Sequence, residues 1–388
     1  MKTIAHTTFD RLYAYLSRQP PEKRFLGYDP FDGLNSPLIA KTIFGRSRFI
    51  RLAWVQFFKK SPVNLRRLAL VKPGYNPQAL GLFLSAYSLL YKKFGRQGDL
   101  QAVKFLIEKI KATKISGYAG ACWGYNFNWQ ARAFYQPRNT PMIVPTTAVF
   151  NGLLAAYALT KDQEVLALAL SVADFITTHL NRSYAADSFA FSYSPADHSV
   201  IYNASLMASQ VLASVYHHTQ EQKLLADIEA SVKFCLNHQH PDGHWTYGTK
   251  PYHQWIDNFH TGYNLENLAK IARYVAVPGL QEAIARGFDY YITTFFTADG
   301  RCKYYAGKTY PLDINNPAQL LATLVALDQK TAHQALVGRV ISRTNKTMQD
   351  HKGYFYYQQH PYYTNKINYL RWSQAWMFYG LSQYLFAE

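Results

Sequence analysis

Six stretches of the chain are apolar or small on nearly every helical face: GYNPQALGLFLSAYSLLY (74–91), VPTTAVFNGLLAAYAL (144–159), IYNASLMASQVLASVY (201–216), FHTGYNLENLAKIARYV (259–275), INNPAQLLATLVAL (314–327) and NYLRWSQAWMFYGLSQYL (368–385). Between them lie stretches that keep one polar face, at 99–112, 162–180, 221–239, 280–296 and 331–348. The first kind suits helices buried on both sides and the second suits helices with one solvated side. The all-round apolar helices open near Pro77, Pro145, Asn203, Gly262, Pro317 and Tyr369, separated by 68, 58, 59, 55 and 52 residues. A recurrence of that length, inner helix then outer helix, predicts an all-α fold, an (α/α)6 toroid or six-hairpin barrel. An open solenoid of the tetratricopeptide kind is the alternative, but its unit is nearer ~34 residues.

Each inner helix follows an aromatic loop, so the pattern gathers these loops at one end of the barrel, where a cleft is expected. Residues 1–73 lack the repeat and are read as a basic, helical N-terminal extension packing on a toroid domain of residues 74–388. No Ser/Gly/Pro-rich linker divides the chain after residue 74, and its 388 residues, 48% hydrophobic, suffice for one large core. The first 17 residues lack the continuous apolar core of a signal peptide, and no apolar run approaches the ~20 residues of a membrane span.

Charge sharpens the division. Residues 1–114 hold 21 Lys/Arg against 6 Asp/Glu, and residues 115–388 hold 20 against 18, so most of the net +17 belongs to the front of the chain. It concentrates in 44–72, where Arg46, Arg48, Arg51, Lys59, Lys60, Arg66 and Arg67 interleave with Trp54, Phe57 and Phe58. Such a stretch suits peripheral contact with an anionic membrane, or an acidic polysaccharide; equally, it suits a helix docked by its aromatics with a solvated basic face. Nucleic acid has only the net charge in its favour and is not expected as a partner. Cys122, Cys235 and Cys302 are odd in number and widely spaced, with no C-x-x-C, which points to a reducing, cytoplasmic setting, peripheral to the inner membrane if 44–72 makes that contact. Neither a metal nor a cofactor is called for.

The loops hold much of the chain's 31 Tyr, 24 Phe and 7 Trp. Aromatic faces that stack on pyranose rings, set among planar polar groups that bond hydroxyls, are what a glycan requires. The densest constellation is WIDNFHTGY (255–263): Asp257 at the start of a helix, His260 three residues on, and Trp255, Asn258 and Tyr263 around them. A carboxylate that fixes an imidazole tautomer makes an acid/base pair, though Asp257 acting only as a helix cap is the competing reading. WGYNFNWQAR (123–132) adds Trp123, Tyr125, Asn126, Trp129 and Arg132, the last a fork suited to a uronate carboxylate. Arg371 and Trp372 open the last inner helix, and His244, Trp245, Tyr247, Tyr356 and His360 complete the expected binding set. In GYDPFDGLNSP (27–37), Asp29, Asp32 and Asn35 read as a tight turn with side-chain caps.

The combination of DPFDGLNS (29–36), RLAWVQFFKKSPVNLR (51–66), CWGYNFNWQAR (122–132) and WIDNFHTGY (255–263) resembles a group of bacterial proteins associated with exopolysaccharide and capsule biosynthesis, the VpsJ type. The resemblance covers almost the whole chain. It implies a six-hairpin-glycosidase-like toroid working in polysaccharide assembly, a superfamily that includes glycoside hydrolases, polysaccharide lyases, uronate epimerases and sugar 2-epimerases. Hydrolysis asks for two carboxylates, and Asp257 with Asp313 is the eligible pair, with Asp197 as a third carboxylate. Lyase or epimerase chemistry asks for a base and a cation beside an enolate, a set His260, Tyr263, Arg132 and Arg371 supply. A non-catalytic glycan-binding or scaffolding subunit of a membrane-associated synthesis complex is the alternative. Terpene cyclisation is disfavoured by the lack of a D-x-D-D motif.

Overall fold

The structure, a computed structural model, describes residues 3–40, 42–130 and 135–387. The chain begins with α1 (Ile4–Ser17), the single-turn helices α2 (Pro21–Arg24) and α3 (Pro37–Ala40), and α4 (Arg48–Lys60). Helical hairpins follow: α5 (Pro77–Phe94) with α6 (Gln97–Thr113), α7 (Ile143–Thr160) with α8 (Gln163–Leu170) and α9 (Val172–His179), and α10 (Tyr202–Thr219) with α11 (Gln222–Asn237). Next come α12 (Asn258–Ala272) with α13 (Leu280–Phe295), and α14 (Asn315–Ala326) with α15 (Gln334–Met348). A π-helical turn, Leu370–Ala375, runs into the last helix, α16 (Trp376–Phe386).

Helices α5, α7, α10, α12, α14 and α16 touch in that order, and α16 returns to α5. The ring is closed, which makes the fold an (α/α)6 toroid and rules out the open solenoid. Small residues let the inner helices approach: a Cβ on Gly81 would lie 2.3 Å from the Ala148 carbonyl oxygen, and one on Gly380 would lie 2.6 Å from that of Ala318. Capping fixes where helices begin. Asn76 accepts from the N–H groups of Gln78 and Ala79 ahead of Pro77, and Asp257 accepts from that of His260. Helix α7 is long and apolar enough to cross a membrane by composition, an exception to the expectation that no run comes near that length, but it is an inner-ring helix packed between α5 and α10.

The segment before residue 74 has two parts. Helix α1 packs on α15 and α16, and its Phe9, Leu12 and Leu16 join the ring's main core. A repeated contact shows that it completes the outer ring. Gly243, Gly300 and Gly353 each open a loop with positive φ, and a Cβ there would lie 2.2, 2.5 and 2.3 Å from a carbonyl oxygen of the next outer helix: Arg286 in α13, Arg339 in α15 and Arg11 in α1. Residues 29–71 instead form small cores of their own, Leu34 with Ile39 and Val55, and Phe58 with Ala69 and Val71. Buried Arg66 ties this part together, donating to Asp32 Oδ1 (2.5 Å), the Asp29 carbonyl (2.6 Å) and the Tyr369 hydroxyl (2.9 Å).

Short strands stiffen the loops. Strand β1 (Trp129–Gln130) pairs with β2 (Tyr135–Gln136), and β3 (Arg182–Ala185) with β4 (Ser188–Phe191). An antiparallel sheet in the order β5 (Lys303–Tyr305), β6 (Lys308–Asp313), β7 (Gln358–Gln359), β8 (Thr364–Asn365) places Leu312 opposite Gln359 and Gln358 opposite Asn365. These loops lead into the inner helices, so they share one end of the barrel.

Candidate active site

The loops deliver tyrosines in a common register. In Gly243-His-Trp245-Thr-Tyr247, Gly300-Arg-Cys302-Lys-Tyr304 and Gly353-Tyr-Phe355-Tyr-Tyr357, the glycine meets the next outer helix, the third residue is buried and the fifth is a tyrosine turned inward. Trp123 with Tyr125 and Phe191 with Tyr193 repeat the last step. Tyr193, Tyr304 and Tyr357 were not singled out from the sequence; this recurring spacing is the signal that marks them. Burial pushes the phenols of Tyr193, Tyr247, Tyr263, Tyr304 and Tyr357 well up. At neutral pH they are therefore hydrogen-bonding groups, and Tyr263, expected as a base, stays protonated.

His260 lies among these rings on the first turn of α12. The Asp257 carboxylate accepts from the His260 backbone N–H (2.9 Å) and from Trp255 Nε1 (2.9 Å), and its Oδ2 lies 2.7 Å from His260 Nδ1. The Asp257 side chain is 1% exposed and that of His260 is 21% exposed. Asp257 therefore both caps the helix and holds the imidazole, while Nε2 of His260 is left without a hydrogen-bond partner among the described residues. The ring of Tyr247 lies 4.6 Å from the imidazole and stacks on Trp255 at 4.5 Å; Tyr263 lies edge-on at 5.8 Å and stacks on Trp376 at 5.3 Å.

Arg371 lies in the π-helical turn that opens the last inner helix. Its guanidinium makes two bonds to Asp29, Nε to Oδ2 (2.5 Å) and Nη2 to Oδ1 (2.9 Å), and a third to Gln78 Oε1 (3.0 Å). Its partner is thus an acid of the N-terminal segment rather than of the inner ring. It lies 4.9 Å from the Tyr125 ring and 5.0 Å from the Trp372 ring. Trp372 meets Phe259 and Phe31 edge-on, both at 5.6 Å, and Phe31 reaches Trp129 at 6.2 Å. Tyr125, Tyr193, Tyr263, Tyr304, Trp372 and Trp376 each keep an exposed edge of only 5–9%, so the mouth is narrow.

Asp313, at the end of β6, accepts from Asn315 N–H (2.9 Å), Gln358 Nε2 (2.5 Å) and Trp372 Nε1 (2.8 Å). Burial raises its pKa to about 6. Both carboxylates of the expected hydrolytic pair are thus enclosed and fully engaged, and Asp197 is held by the Ser199 N–H and hydroxyl. Several expected binding residues serve the fold instead. The indole N–H of Trp123 donates to the Ile110 carbonyl and that of Trp245 to Cys235, both at 2.9 Å deep between helices. Asn126 accepts from Asn76, and Asn258 from the Tyr291 hydroxyl. His244 stacks on His240 at 4.0 Å beside α13, and Tyr356 donates to Asp350; both lie away from the mouth. His360 stacks on Tyr363 at 4.4 Å in the loop between β7 and β8. Arg132 lies outside the described residues. Among the described residues no group of three or more His, Cys, Asp or Glu is arranged to hold a metal ion.

No family model and no curated relative matches the chain. Solved structures do. A cellobiose 2-epimerase from Bacillus thermoamylovorans B4167 superposes with a TM-score of 0.61 at 13% identity, covering 79% of this chain and 87% of that one. An α-mannanase of glycoside hydrolase family 76 from Bacteroides thetaiotaomicron gives 0.60 at 11% identity, over 80% and 86%. A polysaccharide lyase gives 0.56 at 13% identity, over 79% and 89%. The likeness shows the fold. Because one toroid carries epimerisation, hydrolysis and elimination in these proteins, the reaction has to be argued from the side chains.

Proposed function

We propose that this protein acts on a sugar or glycan chain held in the aromatic mouth, with His260 as the acid/base and Asp257 as the residue that orients it. The reaction class the geometry supports best is proton transfer at a carbon beside a carbonyl or carboxylate, as in a sugar epimerase or a polysaccharide lyase. One observation carries this reading: the 2.7 Å contact between Asp257 Oδ2 and His260 Nδ1, which commits one nitrogen to the carboxylate and leaves Nε2 for a substrate proton. The neutral tyrosines provide hydroxyl donors where an enolate-like oxygen develops, and the Arg371–Asp29 pair sits behind Tyr125 and Trp372. Two-carboxylate hydrolysis fits less well, because Asp257 and Asp313 are enclosed and each already accepts three hydrogen bonds.

The setting that the resemblance implies is exopolysaccharide or capsule assembly, and the cysteine usage and the basic 44–72 segment favour a cytoplasmic place peripheral to the inner membrane. A glycan-binding subunit of a synthesis complex is the second reading, favoured by the exposed basic and apolar segment beside the mouth. Thermal-shift and turnover screening against neutral and uronate-containing oligosaccharides separates the two. Epimerised or unsaturated products that disappear in His260→Ala and fall sharply in Asp257→Asn support the enzyme. Stabilisation by glycan without turnover, equal in both variants, supports the binding subunit.

A further inference from the structure

The N-terminal segment carries a surface that the ring does not use. Among the described residues, eight exposed large apolar side chains lie between residues 38 and 70, Phe49 at 80%, Leu68 at 78% and Ile43 at 75% exposure foremost among them. On α4 the buried side is Val55 and Phe58, while Phe49, Ala53 and Phe57 recur at intervals of four residues along the outside. That outer stripe is where a solvated helix would put its charges. The charges lie around it instead: Arg46, Arg48, Lys60, Arg67 and Lys72 are all exposed, and the sequence has no acidic residue between Asp32 and Asp99. A solvated basic face explains the cations but leaves the phenylalanines unaccounted for. An acidic polysaccharide would meet only the cations, whereas an anionic bilayer meets both halves of this chemistry, phosphates at the rim and acyl chains beneath.

We propose that residues 38–72 dock this protein on the surface of a bilayer containing anionic phospholipid, with Phe49 and Phe57 inserting below the headgroups. The docking face adjoins the mouth. Lys59 of α4 lies 5.0 Å from the Phe31 ring, and the Ser61 carbonyl accepts from Asn365 of β8 at 2.8 Å. Docking therefore presents the mouth beside the membrane.

Vesicle flotation of the full chain tests the proposal, using phosphatidylcholine alone and phosphatidylcholine with a third of phosphatidylglycerol. The expected result is partition onto the mixed vesicles only, weakened by salt. It should fall about fivefold for each basic residue removed, as in Arg67→Gln, and at least about tenfold in Phe49→Ser/Phe57→Ser. The thermal midpoint should stay unchanged in Arg67→Gln and fall only slightly in the double variant, since Phe49 is 80% exposed and Phe57 keeps one edge against Phe58. Absence of partition would overturn the proposal, as would partition that survives the double substitution. Retention on alginate beads without vesicle binding would assign the surface to an acidic polysaccharide and overturn it too.

Discussion

Removing Asp29 tests whether the N-terminal segment is an integral part of the candidate site. Asp29 and Arg371 are 342 residues apart in sequence, and their side chains are 6% and 4% exposed. Asp29→Ala removes the acceptors of two of the three hydrogen bonds on the guanidinium and leaves its charge buried with Gln78 Oε1 and three aromatic rings. Stranding one partner of a buried pair costs about 3 to 5 kcal/mol. Arg371→Leu fills similar volume and relieves the stranded charge, so the double variant should recover much of that loss. The account predicts a coupling of about 2 kcal/mol or more in a cycle of wild type, both single variants and the double variant, measured by urea denaturation. Single-variant costs that add to within about 0.5 kcal/mol would mean the pair is not coupled, and would refute the idea that residues 29–66 help build the mouth.

Other consequences are as direct. Gly353→Ala, at φ 106° and with its new Cβ 2.3 Å from the Arg11 carbonyl oxygen, should lose about 2 kcal/mol or more by thermal denaturation, while Gly307→Ala, with open space around it, should be neutral. Asp313 has a folded pKa of about 6 against an ordinary 3.8, so the folded state holds its proton more tightly. Its contribution is stabilising below about pH 4 and is lost as pH rises to about 6. The stability of wild type relative to Asp313→Asn should accordingly fall by about 3 kcal/mol between those limits, and a rise would contradict the assignment. Trp245→Phe, which gives up the bond to the Cys235 carbonyl and part of a packed indole, should cost about 2 kcal/mol. It should leave KM for any substrate unchanged, because Trp245 lies between helices and not in the mouth.

The inner ring was legible because burial on both sides erases the polar face, a pattern that survives in every repeat. Observed helix starts at Pro77, Ile143, Tyr202, Asn258 and Asn315 lie within a few residues of those read from the sequence. The Asp257–His260 pair was legible for a local reason: a cap and the residue three positions on must face each other. Helix α1 was not recognised as an outer-ring member, although Phe9, Leu12 and Leu16 follow helical spacing, because its hairpin partner α16 stands at the far end of the chain. The same distance hid the Asp29–Arg371 pair. Trp123 and Trp245 were read as sugar platforms because a tryptophan in a polar loop looks alike whether its indole points to solvent or down between two helices. Only the recurrence of tyrosine two residues after each buried side chain separates the two roles.

The central claim is that His260 moves a proton on a sugar carbon, and solvent exchange tests it most directly. The protein would be incubated in deuterium oxide with reducing disaccharides and uronate-containing oligosaccharides, and carbon-bound deuterium beside the carbonyl or carboxylate followed by NMR. The account predicts incorporation by wild type, or an unsaturated uronate where the proton loss ends in elimination, and a loss of about 10² to 10⁴ in its rate in His260→Ala. New reducing ends with neither carbon-bound deuterium nor an unsaturated uronate, or activity undiminished in His260→Ala, would contradict it.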